Sequence, residues 1–298
     1  MRVQAWAPGH ATLLFASPAS SDEPLQKGST GAGLNFEAGV LTTAEKSEKN
    51  EIFWNSKPIN GIVTQTVIDQ LKQRFNIQSN FKINHYSELK IGHGLSTSGA
   101  GAIGTALAIN HLLTLDKPTL ELQQIAHYAD VINHTGLGSV MGQLASGIEF
   151  RTVAGGPGVG QTKSIASNEQ IIILMMGKLK TSDVLVSADH MEQVNKAGAT
   201  ALRKALAADQ IDLDMLLEIG RNFTKECGLM TTRVERVMSE LDDLGEQHAS
   251  MAMIGETIVI RPIDAKRIID YANRHRINAV VTKITTKEPQ IVNNFDSI

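Results

Sequence analysis

The sequence predicts an α+β fold with two domains. Apolar residues recur at helical spacing in some segments and alternate in others, so both helices and strands are expected. They do not alternate regularly along the chain, as they would in a doubly wound parallel sheet. At 298 residues the chain is long enough for two domains of ~100–200 residues each. The polar stretch at residues 161–168 is the expected junction, which divides the chain into domains of residues 1–165 and 166–298.

The N-terminal half is predicted to begin with strands. Residues 2–7 and 11–16 are expected to form two short strands, because Pro8 and Gly9 between them disfavour a continuous strand. Residues 17–33 are rich in Ser, Pro and Gly, which favours a loop. Next come a strand at 34–44, a helix at 62–75, a strand at 81–86, helices at 100–113 and 119–132, the second capped by Thr119, and a strand at 148–153.

The C-terminal half is predicted to contain four helices. The apolar run at residues 171–176 indicates a buried strand, and helices follow at 183–206, 213–223 and 232–244, with Asp212 preceding the second of them. Strands are expected at 250–254, 257–261 and 278–284, and the fourth helix at 264–274 lies between the last two of these.

Composition narrows the class of protein. A net charge of −3 gives no support for a nucleic-acid partner or an anionic membrane surface. No apolar run approaches the ~20 residues that span a bilayer, and the start of the chain lacks a signal-peptide core. The single cysteine, Cys227, cannot form a disulfide within the chain, which fits a reducing, cytoplasmic location. The nine histidines show no zinc-type spacing.

The segment at residues 90–104 carries the most information about function. Glycines and hydroxyl side chains form a short loop directly before an apolar helical pattern. Such a loop leaves backbone N–H groups uncovered beside the positive end of a helix dipole, so it predicts a phosphate site and hence a nucleotide. The segment lacks the Gly-Lys-Ser/Thr ending of a Walker A motif, and Thr97 stands where a dinucleotide fingerprint needs its third glycine. A tightly packed helix entry without a ligand is the alternative interpretation.

The loop resembles the phosphate loop of the GHMP kinase superfamily. Gly94-Leu-Ser-Thr-Ser-Gly-Ala100 matches that pattern, with Ser96 and Gly99 as small-for-small replacements. Two further superfamily motifs have counterparts in the same order, at residues 7–10 and 251–257. The resemblance implies an N-terminal ATP-binding domain and a C-terminal ferredoxin-like α/β domain. It also implies that ATP binds the loop through Gly92, Gly94, Leu95, Ser96, Thr97, Ser98, Gly99 and Ala100.

Within that superfamily the chain resembles the archaeal pantoate kinases. The matching segments are residues 7–15, 28–33, 135–138, 156–158 and 180–182. This resemblance implies that ATP phosphorylates (R)-pantoate to (R)-4-phosphopantoate, a step in archaeal coenzyme A biosynthesis. The implied partner is thus a small hydroxy acid, with neither nucleic acid nor membrane. Dimers are common in the superfamily, so a homodimer is one expected assembly, although the sequence does not fix the oligomeric state.

The resemblance also implies roles for individual side chains. Mg²⁺ prefers hard oxygen ligands, and Ser98 and Asp130 match the family's magnesium positions. A hydroxy acid carries a carboxylate, which the planar fork of an arginine can bind through two hydrogen bonds. The expected substrate-binding residues are Ser29, His127, Arg151 and Thr181.

One candidate catalytic position, Ser139, departs from the family pattern. The family has an Asp there as the expected proton acceptor, and a serine hydroxyl is too weakly basic for that role. The proton could leave late to phosphate or water, since a loose transition state needs little base help. Asp130, the other candidate catalytic residue, or Glu149 could replace the missing carboxylate. Otherwise the substrate differs or activity is lost.

A second departure is Thr12-Leu-Leu14, where the family has Thr-Gly-Phe, so the substrate pocket differs in shape if these residues line it. Two alternatives to a pantoate-specific enzyme therefore stay open. One is a kinase for another small branched hydroxy acid, such as a 5-kinase acting on mevalonate 3-phosphate. The other is a non-catalytic nucleotide-binding homologue.

Overall fold

A computed structural model describes residues 1–17, 22–179, 188–208 and 210–292. The described strands are β1 (Arg2–Ala16), β2 (Thr30–Ser47), β3 (Glu51–Trp54), β4 (Lys57–Pro58), β5 (Asn80–Tyr86), β6 (Ile148–Val153), β7 (Gln161–Ile165), β8 (Gln170–Lys178), β9 (Ala249–Met251), β10 (Gly255–Ile260), β11 (Asn278–Lys283) and β12 (Gln290–Val292). The described helices are α1 (Ile62–Phe75), α2 (Thr97–Leu112), α3 (Thr119–Ile132), α4 (Ser139–Leu144), α5 (Ala188–Leu206), α6 (Leu213–Glu226), α7 (Thr232–Asp243) and α8 (Ala265–Arg274).

The larger sheet is built on two long antiparallel strands, β1 and β2. Its order is β12-β1-β2-β5-β3-β4, and β6 joins β2 and β7 through separate pairings. Strand β2 serves two partners, because Gly31–Leu34 pairs with β6 whereas Leu41–Ser47 pairs with β5. Strand β1 runs through Pro8 and Gly9 with a register shift between Ala7 and Gly9. The expectation of two short strands was therefore wrong, because an irregularity of the β-bulge kind absorbs the proline without ending the strand.

The smaller sheet has four antiparallel strands in the order β11-β8-β10-β9. This is the strand order of a ferredoxin-like unit, in which the first and third strands occupy the centre. Helices α5, α6 and α7 fall between β8 and β9, and α8 connects β10 to β11. The α+β class and the ferredoxin-like C-terminal part are thus confirmed. A domain boundary between residues 165 and 166 would separate the strands of the two sheets, except that β12 pairs with β1. The division into two domains at this point stays a prediction.

Helix α2 lies at the centre of the N-terminal part. Apolar side chains of α1 and α3 join it in one buried cluster with the sheet, and most of its residues are buried. A helix that is apolar all round belongs in a core. At Gly104 the helix approaches β2 so closely that an added Cβ would lie under 3.0 Å from the Thr42 hydroxyl. Close packing on several sides therefore holds the N-terminus of α2 in place.

Several other boundaries differ from expectation. Helix α2 begins at Thr97 rather than at residue 100, and β2 begins at Thr30, inside the expected loop. Thr119 is the first residue of α3, whereas Pro118 occupies the N-cap and provides no side-chain hydrogen bond. The expected domain junction contains β7, and α4 forms in a segment of small residues. The β3–β4 hairpin was not anticipated, and the start of the expected helix at 183–206 lies outside the described residues.

Helix α6 agrees with expectation at its start, since the Asp212 side chain accepts a hydrogen bond from the Met215 N–H. No helix among the described residues is both long and apolar enough to cross a bilayer.

Candidate active site

The glycine loop joins β5 to α2 through three residues with left-handed backbone. Gly92 and Gly94 have φ of +81° and +73°, and Ser96, the N-cap residue, has φ of +52°. Glycine adopts this conformation at little cost, whereas a side chain is strained by it. The turn leads into a first helical turn of Thr97, Ser98 and Gly99. Their N–H groups have no acceptor within the helix, so together with the positive end of the helix dipole they can bind an anion.

The Ser96 side chain leaves this anion site open. A serine at the N-cap usually accepts a hydrogen bond from the second or third helical N–H. Here Ser96 makes no such bond, and its Oγ lies 3.2 Å from Nδ1 of His10. The first-turn amides are therefore not blocked by the protein's own cap.

The three segments that resembled superfamily motifs meet around this loop. The Thr257 hydroxyl donates a hydrogen bond of 2.7 Å to the His93 carbonyl oxygen. The Met253 N–H donates to the Thr12 carbonyl oxygen at 2.8 Å, and a Cβ on Gly94 would lie 2.6 Å from the Met253 carbonyl oxygen. Segments from the start, middle and end of the chain thus fix the shape of the loop.

Asp130 lies beside the loop and is surrounded by hydroxyl groups. Its side chain is buried, and Oδ1 accepts hydrogen bonds from Thr135 and, at 2.9 Å, from Ser98. The Ser139 hydroxyl also bonds to this carboxylate. Burial raises the pKa of Asp130, and these hydroxyl hydrogen bonds act in the opposite direction. The structure thus places Ser98, Asp130 and Ser139 together.

This group can hold a magnesium ion that arrives with phosphate. Ser98 Oγ and Asp130 Oδ1 are hard oxygen atoms 2.9 Å apart, which is the type of ligand that Mg²⁺ prefers. Among the described residues, no group of three or more His, Cys, Asp or Glu side chains could hold a metal by itself. Mg²⁺ commonly binds through one or two side chains together with substrate phosphates and waters, so the site fits that ion.

Arg151, on β6, presents a buried and partly unpaired guanidinium. Its side chain is 1% exposed, and Nη1 donates to Glu149. Nε and Nη2 are buried and have no hydrogen-bond partner within the described part of the chain. Gly31 and Gly138 pack closely against this edge, because a Cβ on them would lie 2.9 Å from Nη2 and from Nε respectively. Ser29 Oγ is also next to Gly138, so Ser29 and Arg151 lie side by side.

Comparisons with known proteins place this chain in a family. Residues 62–147, which include the glycine loop, match the GHMP kinases N terminal domain. A pantoate kinase from Methanocaldococcus jannaschii is 31% identical over 256 residues, which cover 85% of this chain and 90% of that relative. The chain belongs to the pantoate kinase family.

Two further comparisons extend the similarity over the full length. A pantoate kinase from Thermococcus kodakarensis is 29% identical over 98% of both chains. A solved structure described as a phosphotransferase related to the CoA biosynthesis pathway superposes with a TM-score of 0.86 and 26% identity, covering 100% of both chains. This member of the pantoate kinase family is therefore an ATP-dependent small-molecule kinase with the GHMP kinase fold.

His127 and Thr181 are the other two residues expected to bind the substrate. His127 is buried, and its Nε2 donates to the carbonyl oxygens of Pro24 at 3.2 Å and Lys27 at 3.1 Å. Burial lowers the pKa of His127, so the neutral ring holds the segment that leads to Ser29. Its direct contact with substrate stays a prediction, and Thr181 lies outside the described residues.

The sequence-based expectations named Glu149 only as a possible replacement carboxylate and did not anticipate the contacts through which it and Gln143 support the site. Glu149 is fully buried, and its Oε1 accepts from both Arg151 and His10. The Gln143 amide donates to the carbonyl oxygens of Pro8 at 2.7 Å and Ser96 at 3.1 Å. The alternation of β6 offered one signal, because residues two apart on a strand share a face, as Glu149 and Arg151 do.

Proposed function

We propose that this kinase transfers the γ-phosphoryl group of ATP to the primary hydroxyl of (R)-pantoate, in coenzyme A biosynthesis. The observation that supports it most is the free Nε–Nη2 edge of Arg151. Two buried donors without partners are costly, and one carboxylate can accept from both in a bidentate arrangement. The relatives described above are pantoate kinases, which supports pantoate as the acid that supplies this carboxylate.

The reaction places the two substrates at adjacent parts of the site. The ATP phosphates accept hydrogen bonds from the first-turn amides of α2, and Arg151 and Ser29 hold the acid. The acceptor oxygen forms a bond to the γ-phosphorus while the bond from that phosphorus to the β–γ bridging oxygen breaks, which gives ADP and phosphopantoate. The proton of the hydroxyl is released. Such a transfer depends mainly on positioning and on neutralising phosphate charge.

Ser98 and Asp130 are proposed to hold the magnesium ion of the substrate. When bound, this ion neutralises charge on the β- and γ-phosphates. The hydroxyl groups of Thr135 and Ser139 bond to Asp130, and these bonds favour the charged carboxylate that a cation needs.

Of the two carboxylates considered as replacements at position 139, the geometry favours Asp130. Glu149 is fully buried and accepts from His10 and Arg151 through one oxygen. Asp130 instead contacts Ser139 directly. Because Asp130 is also proposed to hold Mg²⁺, which makes its carboxylate a weak base, we propose that the proton leaves late to phosphate, as a loose transition state allows.

A substrate panel tests this function. The purified protein is mixed with ATP, Mg²⁺ and one acceptor at a time, and ADP release is followed. Turnover is expected with pantoate and not with pantoamide, which keeps the hydroxyl groups but lacks the carboxylate. Turnover of mevalonate 3-phosphate without turnover of pantoate contradicts the proposal. Tight ATP binding with no turnover of any acid supports a non-catalytic homologue instead.

A further inference from the structure

His10 lies between the two substrate regions and uses both of its ring nitrogens. It is 0% exposed, with Nδ1 3.2 Å from Ser96 Oγ and Nε2 3.0 Å from Glu149 Oε1. Burial lowers the pKa of His10, which favours the neutral ring. A carboxylate can only accept, so Nε2–H donates to Glu149, and Nδ1 is left to accept from the Ser96 hydroxyl.

The same Glu149 oxygen continues the connection to Arg151. Ser96, His10, Glu149 and Arg151 thus form one buried hydrogen-bonded series, here called the His10 chain. At one end Ser96 sets the entry of the phosphate loop into α2. At the other end Glu149 holds Nη1 of Arg151, which leaves the Nε–Nη2 edge for the acid.

The His10 chain differs from a polar network that only supports the fold. Buried polar groups are stabilising when all of them are satisfied, and costly when they are not. Here Nε and Nη2 of Arg151 and Oε2 of Glu149 have no partner within the described residues. The unsatisfied donors stand at the acid end, whereas His10 itself is fully bonded. The imidazole is also tightly enclosed, since a Cβ on Gly33 or Gly142 would lie under 3.0 Å from its Nε2.

We infer that His10 and Glu149 are positioning residues that couple ATP binding to acid binding, an inference that rests on the acid-binding role proposed for Arg151. Phosphates bound at the first turn of α2 order Ser96, which fixes His10, Glu149 and the free edge of Arg151. Thermodynamic linkage requires the reverse effect to be equal, so each substrate tightens the other by the same factor. We expect that factor to be about fivefold or more in the wild type.

Two substitutions of His10 separate the ends of the chain. His10→Asn places an amide oxygen near the position of Nδ1, so it retains the bond to Ser96 and loses the bond to Glu149. His10→Gln places an amide N–H near Nε2, so it retains Glu149 and loses Ser96. We expect His10→Asn to raise KM for the acid about tenfold with little change for ATP, from the loss of one hydrogen bond to a charged group. His10→Gln is expected to raise the Kd for ATP instead, and both variants lower the coupling factor towards one.

The ATP measurement does not depend on which acid is the substrate. Binding of a non-hydrolysable ATP analogue is measured without acid and then with the acid that the wild type turns over. If the wild type turns over no pantoate, the proposed function fails. The Kd of His10→Gln for the analogue still decides whether His10 supports ATP binding through Ser96. If pantoate is turned over and both variants weaken both ligands equally with unchanged coupling, the inference alone is overturned.

A second buried histidine provides the control. His85 is 2% exposed and bonds to the hydroxyl groups of Thr42 and Thr64, each at 2.9 Å, without contacting the His10 chain. His85→Asn is expected to lower the unfolding temperature without separating the two KM values. If neither His10 variant folds, Ser96→Ala tests the same chain from its half-buried end. It should weaken ATP binding and lower the coupling factor, and unchanged values for both overturn the inference.

Discussion

Arg151 and Glu149 form a buried ion pair on one face of β6 that engages only the Nη1 side of the guanidinium. Removing one partner of such a pair leaves an uncompensated buried charge, which is strongly destabilising. The pair thus anchors Arg151 within the fold, and the opposite edge of the same group is the one proposed to bind the acid. The first two predictions test the Nε–Nη2 edge of Arg151, which this ion pair does not use.

Arg151→Lys keeps the charge and removes the planar fork. A lysine can approach Glu149 but cannot offer two parallel N–H groups to a carboxylate. We expect KM for the acid to rise about 10- to 100-fold, as one or two charge-assisted hydrogen bonds are lost, while KM for ATP changes little. Steady-state kinetics with each substrate varied in turn measure this. Arg221→Lys, in a partly buried pair with Asp242, is the matched control, and an equal loss for both substrates contradicts the assigned role.

Gly138→Ala tests the close packing beside the unpaired edge of Arg151. The added methyl group would lie 2.9 Å from Nε of Arg151 and close to Ser29 Oγ, so it blocks access of a carboxylate. We expect KM for the acid to rise at least about tenfold, the effect of one lost charged hydrogen bond, with ATP binding unchanged. Gly228→Ala is the control for backbone strain, since no atom lies within 4 Å of its added Cβ but its φ of +65° disfavours a side chain, so it should lower stability without changing either KM. An unaltered acid KM in Gly138→Ala places the acid elsewhere.

Ser139→Asp restores the carboxylate that the family pattern has at this position. If a base at position 139 serves the transfer, kcat should stay the same or rise, because general-base help contributes when the base is within reach of the proton. Ser139→Ala should lower kcat only about tenfold, the effect of one lost hydrogen bond to the Asp130 carboxylate. Single-turnover rates for the two variants show whether position 139 acts as a base or only supports Asp130. A sharp fall in Ser139→Asp indicates that the serine hydroxyl itself is required.

Asp130→Asn tests the proposed magnesium position. The amide keeps the shape and an acceptor oxygen but removes the charge that binds a cation. We expect the Mg²⁺ concentration for half-maximal activity to rise at least about tenfold, in the range seen when metal-site residues are changed. Titration of Mg²⁺ at saturating ATP and acid measures it. Asp212→Asn changes a helix cap far from the loop and should leave the Mg²⁺ requirement unaltered.

His85 is expected to make stability depend on pH. Burial lowers the pKa of His85 from 6.5 to about 4, so between these values the unfolded chain binds a proton that the folded chain does not. Its contribution is therefore present above pH 6.5 and is lost as pH falls towards 4, by at most about 3 kcal/mol. Chemical unfolding of wild type and His85→Asn across this range measures the difference. Parallel curves for the two proteins contradict the assignment.

Local patterns identified much of the fold and part of the site. The helical repeat at residues 62–75 and the strand at 148–153 were predicted with their observed bounds, because short-range periodicity determines such elements. The glycine loop was recognisable because left-handed turns favour glycine, as Gly92 and Gly94 show. By contrast, the sequence predicted two short strands where the structure has the single strand β1, because a sequence does not show whether a bulge can absorb a proline.

The supporting residues of the site could not be found in this way. His10 reaches Ser96 across 86 positions and Glu149 across 139 positions. Contacts at such separations depend on how β1, β6 and α2 pack, and no periodicity within a short segment reports that arrangement. His10 also belongs to a residue type that is often only a satisfied core side chain, so its role depends on its two partners.

The left-handed backbone at Ser96 constrains how this site can change over evolutionary time. A glycine at position 96 would relax the strained turn, but Nδ1 of His10 would lose its donor inside the core. A change at position 10 to an apolar residue would leave Ser96 strained and would remove the ring nitrogen that its hydroxyl contacts. Each single step is therefore unfavourable on its own, and viable descendants are expected to carry paired replacements at positions 10 and 96.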